Sequence, residues 1–121
     1  MTILGNTSGT NTGDQTYIDP RVQSVTSNAT VTATSSNDLV DITALATNVT
    51  LANPTGTFVN GQVLIYRILD NGTSRTITFG TSFNAFSTLP TATTISKTMY
   101  IYCIYNSNTS KFDVINSKSN A

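Results

Sequence analysis

The chain has 121 residues, a formal net charge of zero and only 10% charged residues; its polar remainder is mostly Thr, Ser and Asn, and both glutamate and histidine are absent. That length holds one domain plus an arm. The charge balance gives neither a basic surface for a phosphate backbone nor a polybasic patch for lipid headgroups, so neither nucleic acid nor membrane insertion is expected. Thr, Ser and Asn disfavour helix and suit strands and turns, which predicts an all-β fold.

Residues 1–20 contain "GNTSGTNTGDQT", 5–16, in which Gly5, Gly9 and Gly13 recur and no large apolar side chain appears. Such a stretch has no surface for a core of its own, so an extended arm is expected, with its backbone groups free to pair with another protein. Gly5, Gly9, Asn11, Gly13, Asp14 and Gln15 are the candidate attachment residues. The same residues contain no basic segment followed by an apolar one, which predicts cytoplasmic synthesis without a signal peptide. The body is expected over 21–117, followed by a short polar tail at 118–121.

Along the body, "VTSNATVTA" alternates with Val25, Ala29, Val31 and Ala33 on one face, as a half-buried strand does. "LVDITALA" and "VTLA" follow, and "NPTG" then breaks the chain. "QVLIYRIL", 62–69, leads into "DNGT", whose Asn-Gly pair fits a two-residue turn and predicts a hairpin with "RTITFG". The segment 81–96 is irregular around Pro90, "TMYIYCIY" forms a strand at 98–105, and "NSNT" reverses it into "KFDVI". Many short strands with turns at this spacing predict an antiparallel β-sandwich of jelly-roll type.

Two of these strands are apolar on both faces. Val63, Ile65 and Leu69 oppose Leu64, Tyr66 and Ile68, while Met99, Ile101 and Cys103 oppose Tyr100, Tyr102 and Ile104. A two-layer sandwich covers only one face of each strand, so a second copy is expected over Leu64, Tyr66, Ile68, Tyr100, Tyr102 and Ile104. The alternative cover is segment 81–96 folded over the sheet.

The residue inventory argues against catalysis. The acids are Asp14, Asp19, Asp38, Asp41, Asp70 and Asp113, none in a catalytic spacing, and Asp113 is expected to point outward between Phe112 and Val114. One carboxylate in "DNGT" falls short of a calcium shell, so no metal and no cofactor is expected. Cys103, the only cysteine, lies in an apolar run and reads as a small buried hydrophobe. Tyr17, Phe83, Asn84 and Phe86 are the candidate ligand contacts, although "FNAF" is read first as a plug for its own sandwich.

The run "ITALATNVTLANPTGTFVNGQVLIYRILDNGTSRTITFG", followed by "LPTATTISKTMYIYCIYNSNTSKFDVI", resembles a small β-domain of tailed-bacteriophage virion proteins, tail fibres and head fibres among them. "GTNTGDQT" is similar to a segment that recurs in such fibres. The resemblance implies a non-enzymatic, usually trimeric virion component. Phe79 and Phe112 stand where relatives often carry tryptophan, which leaves no indole platform for a sugar. A short head fibre or capsid decoration, a homotrimer anchored through its arm, is the leading expectation. A tail-fibre module contacting a host surface glycan is the alternative, and a polysaccharide hydrolase comes last.

Overall fold

Short alternating runs separated by Asn, Ser and Gly build nine strands and no helix among the residues described by the computed structural model, 19–121. They are β1 (Val22–Val25), β2 (Thr30–Val31), β3 (Leu39–Leu45), β4 (Val49–Leu51), β5 (Val63–Asp70), β6 (Ile77–Phe79), β7 (Phe83–Ala85), β8 (Met99–Asn106) and β9 (Lys111–Ser119). A six-stranded sheet runs β1-β3-β5-β8-β9-β7, and a three-stranded sheet runs β2-β4-β6. The arm positions Gly5, Gly9, Asn11, Gly13, Asp14 and Gln15, and Tyr17, lie outside the described residues.

The all-β class holds, but the sheets are mixed rather than antiparallel. Five of the seven strand pairings are parallel, and only β5–β8 and β8–β9 are antiparallel. From β1 to β6 the chain alternates between the two sheets, so that β1, β3 and β5 stack in one and β2, β4 and β6 in the other. Parallel neighbours cannot be joined by a tight hairpin. The chain must therefore turn a corner at the end of each strand.

Corners leave backbone N–H groups without ladder partners, and short polar side chains take them up. Asn28 Oδ1 accepts from Thr30 N at 3.2 Å, Ser27 Oγ from Ala46 N at 2.9 Å, and Asn48 Oδ1 from Thr76 N at 2.9 Å. The expected strand over Val25–Ala33 is split by such a corner, with Ala29 exposed at it and Val31 and Ala33 buried beyond it. Register then stacks like on like. Val31 lies beside Leu51 and Leu51 beside Phe79 facing in, while Thr30, Thr50 and Thr78 line up on the other face.

"DNGT" is the clearest departure from the sequence reading. β5 pairs with β3 and β8, and β6 pairs with β4, so residues 70–73 join two sheets and form no hairpin. Gly72 does take a positive φ of 101°, which a β-branched residue resists, but Asn71 does not. The corner is fixed by Asp70, whose carboxylate is buried and accepts from Gly72 N at 2.9 Å, Ser96 N at 2.9 Å and Thr93 Oγ1 at 2.8 Å. These bonds tie the corner to segment 93–96. By contrast, β8 and β9 do form the expected hairpin, with Asn106 opposite Lys111 and Ser110 at a φ of 55°.

Segment 81–96 closes the ends of the two layers instead of covering a face. Its first part is β7, parallel to β9 at the edge of the large sheet. Thr91 O accepts from Ile77 N of β6 at 2.8 Å, and Thr93 N donates to Arg75 O just before β6 at 2.9 Å, at the edge of the small one. Between the layers lies the core of Val40, Ile42, Leu45, Leu64, Tyr66, Ile68, Ile101 and Cys103, all fully buried, with residues of the small sheet against them. Aromatic rings fill one end, Phe58 meeting Phe112 edge-on at 4.7 Å and Phe79 meeting Phe83 at 5.3 Å. β9 continues to Ser119, so pairing with β8 reaches into the residues expected as a tail.

Burial pushes the Asp70 carboxyl up, but the N–H groups of Ser96 and Gly72 and the Thr93 hydroxyl outweigh it, and the group titrates below its ordinary range. A folded-state value below the unfolded one contributes stability above about pH 4, lost as pH falls through the folded value. Asp70→Asn is expected to cost about 1–3 kcal/mol at neutral pH. In denaturant titrations the gap between wild type and variant should narrow at low pH, and a gap independent of pH would contradict the corner's dependence on the ionised carboxylate.

Candidate functional site

The small sheet covers one face of the large sheet; among the described residues no strand covers the other. Alternation decides what lies on it. In β8, Met99, Ile101 and Cys103 turn inward, and Tyr100, Tyr102 and Ile104 turn outward, as expected. In β5 the expectation is reversed. Leu64, Tyr66 and Ile68 are 0% exposed and belong to the core, whereas Val63, Ile65, Arg67 and Leu69 are half-buried on the outer face. The interface therefore cannot include Leu64, Tyr66 or Ile68. Arg67 is the residue that marks the outer side, because its guanidinium has no place between two apolar layers.

Strand register assembles the outer residues into rows across the sheet. One row runs Val22, Leu39, Ile65, Tyr102 and Asn116, from β1 to β9. The next runs Ser24, Asp41, Arg67, Tyr100 and Lys118. On the opposite side of the first row, Val63 faces Ile104, and Ile104 faces Asp113. A register shift between β8 and β9 squeezes out Ile115, which is 41% exposed, while Tyr100 is 47% and Tyr102 39% exposed.

Two arginines of this face and its rim are paired with carboxylates. Arg67 donates to Asp41 through two parallel bonds, Nε to Oδ1 at 3.0 Å and Nη2 to Oδ2 at 2.8 Å, and its Nη1 reaches Tyr100 Oη at 3.4 Å. Those bonds hold the Asp41 carboxyl below the usual carboxylate range. At the rim, Arg21 donates to Asp38 from Nη2 at 2.8 Å, Nε at 3.1 Å and its backbone N at 2.9 Å, which lowers that carboxyl too. Beside the Asp41–Arg67 pair lies a depression of ≈ 130 Å³ lined by Asp41, Ile42, Thr43, Arg67, Leu69 and Thr98. Drug-sized ligands take pockets of about 300 Å³ or more, so this dimple holds at most a small group.

The remaining candidates are scattered. Phe83 is buried against Phe79 and Phe112, in keeping with the plug reading. Asn84 is exposed and donates to Asp113 Oδ1 at 3.3 Å, and Phe86 is exposed too, at 64%. Asp113 alternates outward, opposite Ile104, as expected, but it is 9% exposed and also accepts from Asn106 Nδ2 at 3.3 Å. Cys103 is buried, and burial pushes its thiol up to about 12, which leaves it protonated and unreactive at neutral pH. Among the described residues no three His, Cys, Asp or Glu side chains gather as a metal site would require.

Comparison of the chain with protein-family models, with curated proteins and with solved structures gives no match.

Tyr66 combines full burial with a phenolic oxygen that has no hydrogen-bond partner, and burial raises its pKa. Its ring serves packing, 6.0 Å from Phe83, and its hydroxyl contributes nothing. Tyr66→Phe should leave stability unchanged or slightly raised, whereas Tyr66→Ala should cost about 3–5 kcal/mol. Thermal melts of the two variants check this, and a large loss in Tyr66→Phe would mean that the hydroxyl is bound.

Proposed function

We propose that the chain is a non-enzymatic structural protein of a bacteriophage virion, a short trimeric head fibre or capsid decoration attached through its N-terminal arm to another virion protein. The observation that carries the reading is where the residues of the fibre-like motifs are used. In "NPTGT", Asn53 Oδ1 accepts from Ser82 N at 2.8 Å, and Gly56 has a φ of 94° at a spot where a Cβ would run into Ser35. In "GQ", Gln62 accepts from Val59 N at 3.0 Å and donates to Ser35 O at 3.1 Å. In "DNGT-R", Asp70 and Gly72 form the corner, and Arg75 donates to Asn71 Oδ1 at 3.0 Å. The motif residues are thus spent on holding corners, which suits a module selected for its scaffold.

The outer face of the large sheet supports self-association, since an apolar row of four residues spans it. Asp38 and Asp41 are each engaged by an arginine, which argues against a pair of carboxylates free to act on a glycosidic bond. A receptor-binding reading draws on Phe86, the exposed aromatic next to Asn84; a glycan array would favour it through binding lost in Phe86→Ala.

Light scattering of the purified chain should give three times the 12.9 kDa protomer mass. A monomer at micromolar concentration would overturn the trimer. Deleting residues 1–20 should leave oligomer size and melting temperature nearly unchanged and abolish incorporation into particles, measured by complementing a deletion phage and blotting purified virions. Normal occupancy would refute the attachment role.

A further inference from the structure

We infer that Asn60-Gly61 and Asn71-Gly72 are two latent deamidation sites that the fold holds shut, and that the Asp70 carboxylate is the group that closes the second. Hydrogen bonds at two turns carry this reading, independently of the function proposed above. Both steps are exposed, so water reaches them, and their glycines take positive φ angles of 87° and 101°.

Asparagine is a thermolabile residue, and most of all before glycine, which has no Cβ to keep its nitrogen away from the neighbouring side chain. The glycine N–H loses its proton to hydroxide, the nitrogen bonds to the asparagine Cγ, and the Cγ–Nδ2 bond breaks, releasing ammonia as Nδ2 takes a proton from water. Water then opens the succinimide ring to aspartate, or to isoaspartate, whose main chain runs through the side-chain carbon. Two conditions must be met: a glycine nitrogen free to ionise, and an asparagine side chain free to swing onto it.

The fold withdraws both conditions at both steps. Gly72 N donates to Asp70 Oδ1 at 2.9 Å, while Asn71 is held by its own N, which donates to Leu45 O at 3.1 Å, and by its Oδ1, which accepts from Arg75 Nη2 at 3.0 Å. Gly61 N donates to Tyr105 O at 2.8 Å, and Asn60 Oδ1 accepts from Ser107 N at 2.9 Å. The two locks differ in one respect. Tyr105 offers a neutral carbonyl, whereas Asp70 offers a buried carboxylate that Ser96 N and Thr93 Oγ1 keep in place. Removing the Gly72 proton would set two negative charges within hydrogen-bond distance of each other, which their repulsion opposes. Asn71 is therefore guarded by charge as well as by hydrogen bonds, and Asn60 by hydrogen bonds alone. Isoaspartate at position 71 would lengthen the main chain by one carbon at the corner that joins the two sheets.

The test follows both steps in the same molecules of the full chain, by peptide mapping of aspartate and isoaspartate at Asn60 and Asn71 after incubation in mildly alkaline buffer. In urea, which removes both locks, the two should convert at similar rates. In the folded chain each should be slowed about tenfold or more, and Asn71 more than Asn60. Conversion of folded wild type at the unfolded rate would overturn the inference. Asp70→Ala should raise conversion at Asn71 about tenfold and leave Asn60 near its wild-type rate. An equal rise at both would mean that the variant opens the whole fold, and would overturn the role of Asp70. Should Asp70→Ala fail to fold, hydrogen exchange of the wild type decides, because base-catalysed exchange removes the same proton. The Gly72 N–H should exchange more slowly than the Gly61 N–H, and a Gly72 rate equal to or above that of Gly61 would overturn the guard by charge.

Discussion

Parallel neighbours in a sheet cannot be joined by a short reversal, and that constraint shapes everything from Val22 to Phe79. Each strand must end at a corner, cross to the other sheet and return. Corners strip backbone N–H groups of their ladder partners, and a buried N–H without one costs as much as a lost hydrogen bond. The composition follows from this. Asn28, Asn48 and Asn53 each turn an amide oxygen to such a group, and Asp70 serves two N–H groups and a hydroxyl at once. A chain so rich in Asn, Thr and Ser and so poor in Lys is built for corners more than for a charged surface.

The same constraint leaves the two sheets unequal. Three passes give three strands to each layer, and then β8 and β9 extend only the larger one, with β7 beyond them. Segment 91–93 is used to close the edge of the small sheet at β6, so nothing remains of the described chain to cross the far face of the large sheet. Tyr66, Phe83 and Phe112 fill the space between the layers, and their absence from the surface shows where the apolar excess of β5 and β9 goes. What stays outside is a thinner stripe in which Arg67 and Asp41 occupy each other.

The sequence reading caught the class, the order of the main strands, the turn between β8 and β9, the outward set of β8 and the burial of Cys103. It misjudged what depends on pairing across the chain. Asn71-Gly72 suits a hairpin turn and a corner equally well by local chemistry, and only the partners of β5 and β6, which lie in different sheets, decide between them. The face of β5 was legible in principle: Arg67 alternates with Ile65 and Leu69, so their side is the one that meets water, whatever the apolarity of both. The stacking left a trace as well, in "NATVTA" at 28–33 and "NVTLAN" at 48–53, whose residues Thr30 and Thr50, Val31 and Leu51 are neighbours in register. A period that short and imperfect is visible only once the corners are known. The burial of Asp113 was hidden for a related reason, since part of its cover comes from Asn84 on a strand that irregular sequence had concealed.

The account stands on the proposal that the outer side of the large sheet is a contact between copies. A density map of the purified oligomer at a resolution that separates strands tests it most directly. The expected map places Tyr102 and Ile65 of one subunit against another subunit, with Phe86 and Ile95 facing solvent. Solvent over Tyr102, with the subunits meeting through the small sheet or the loops, would contradict it.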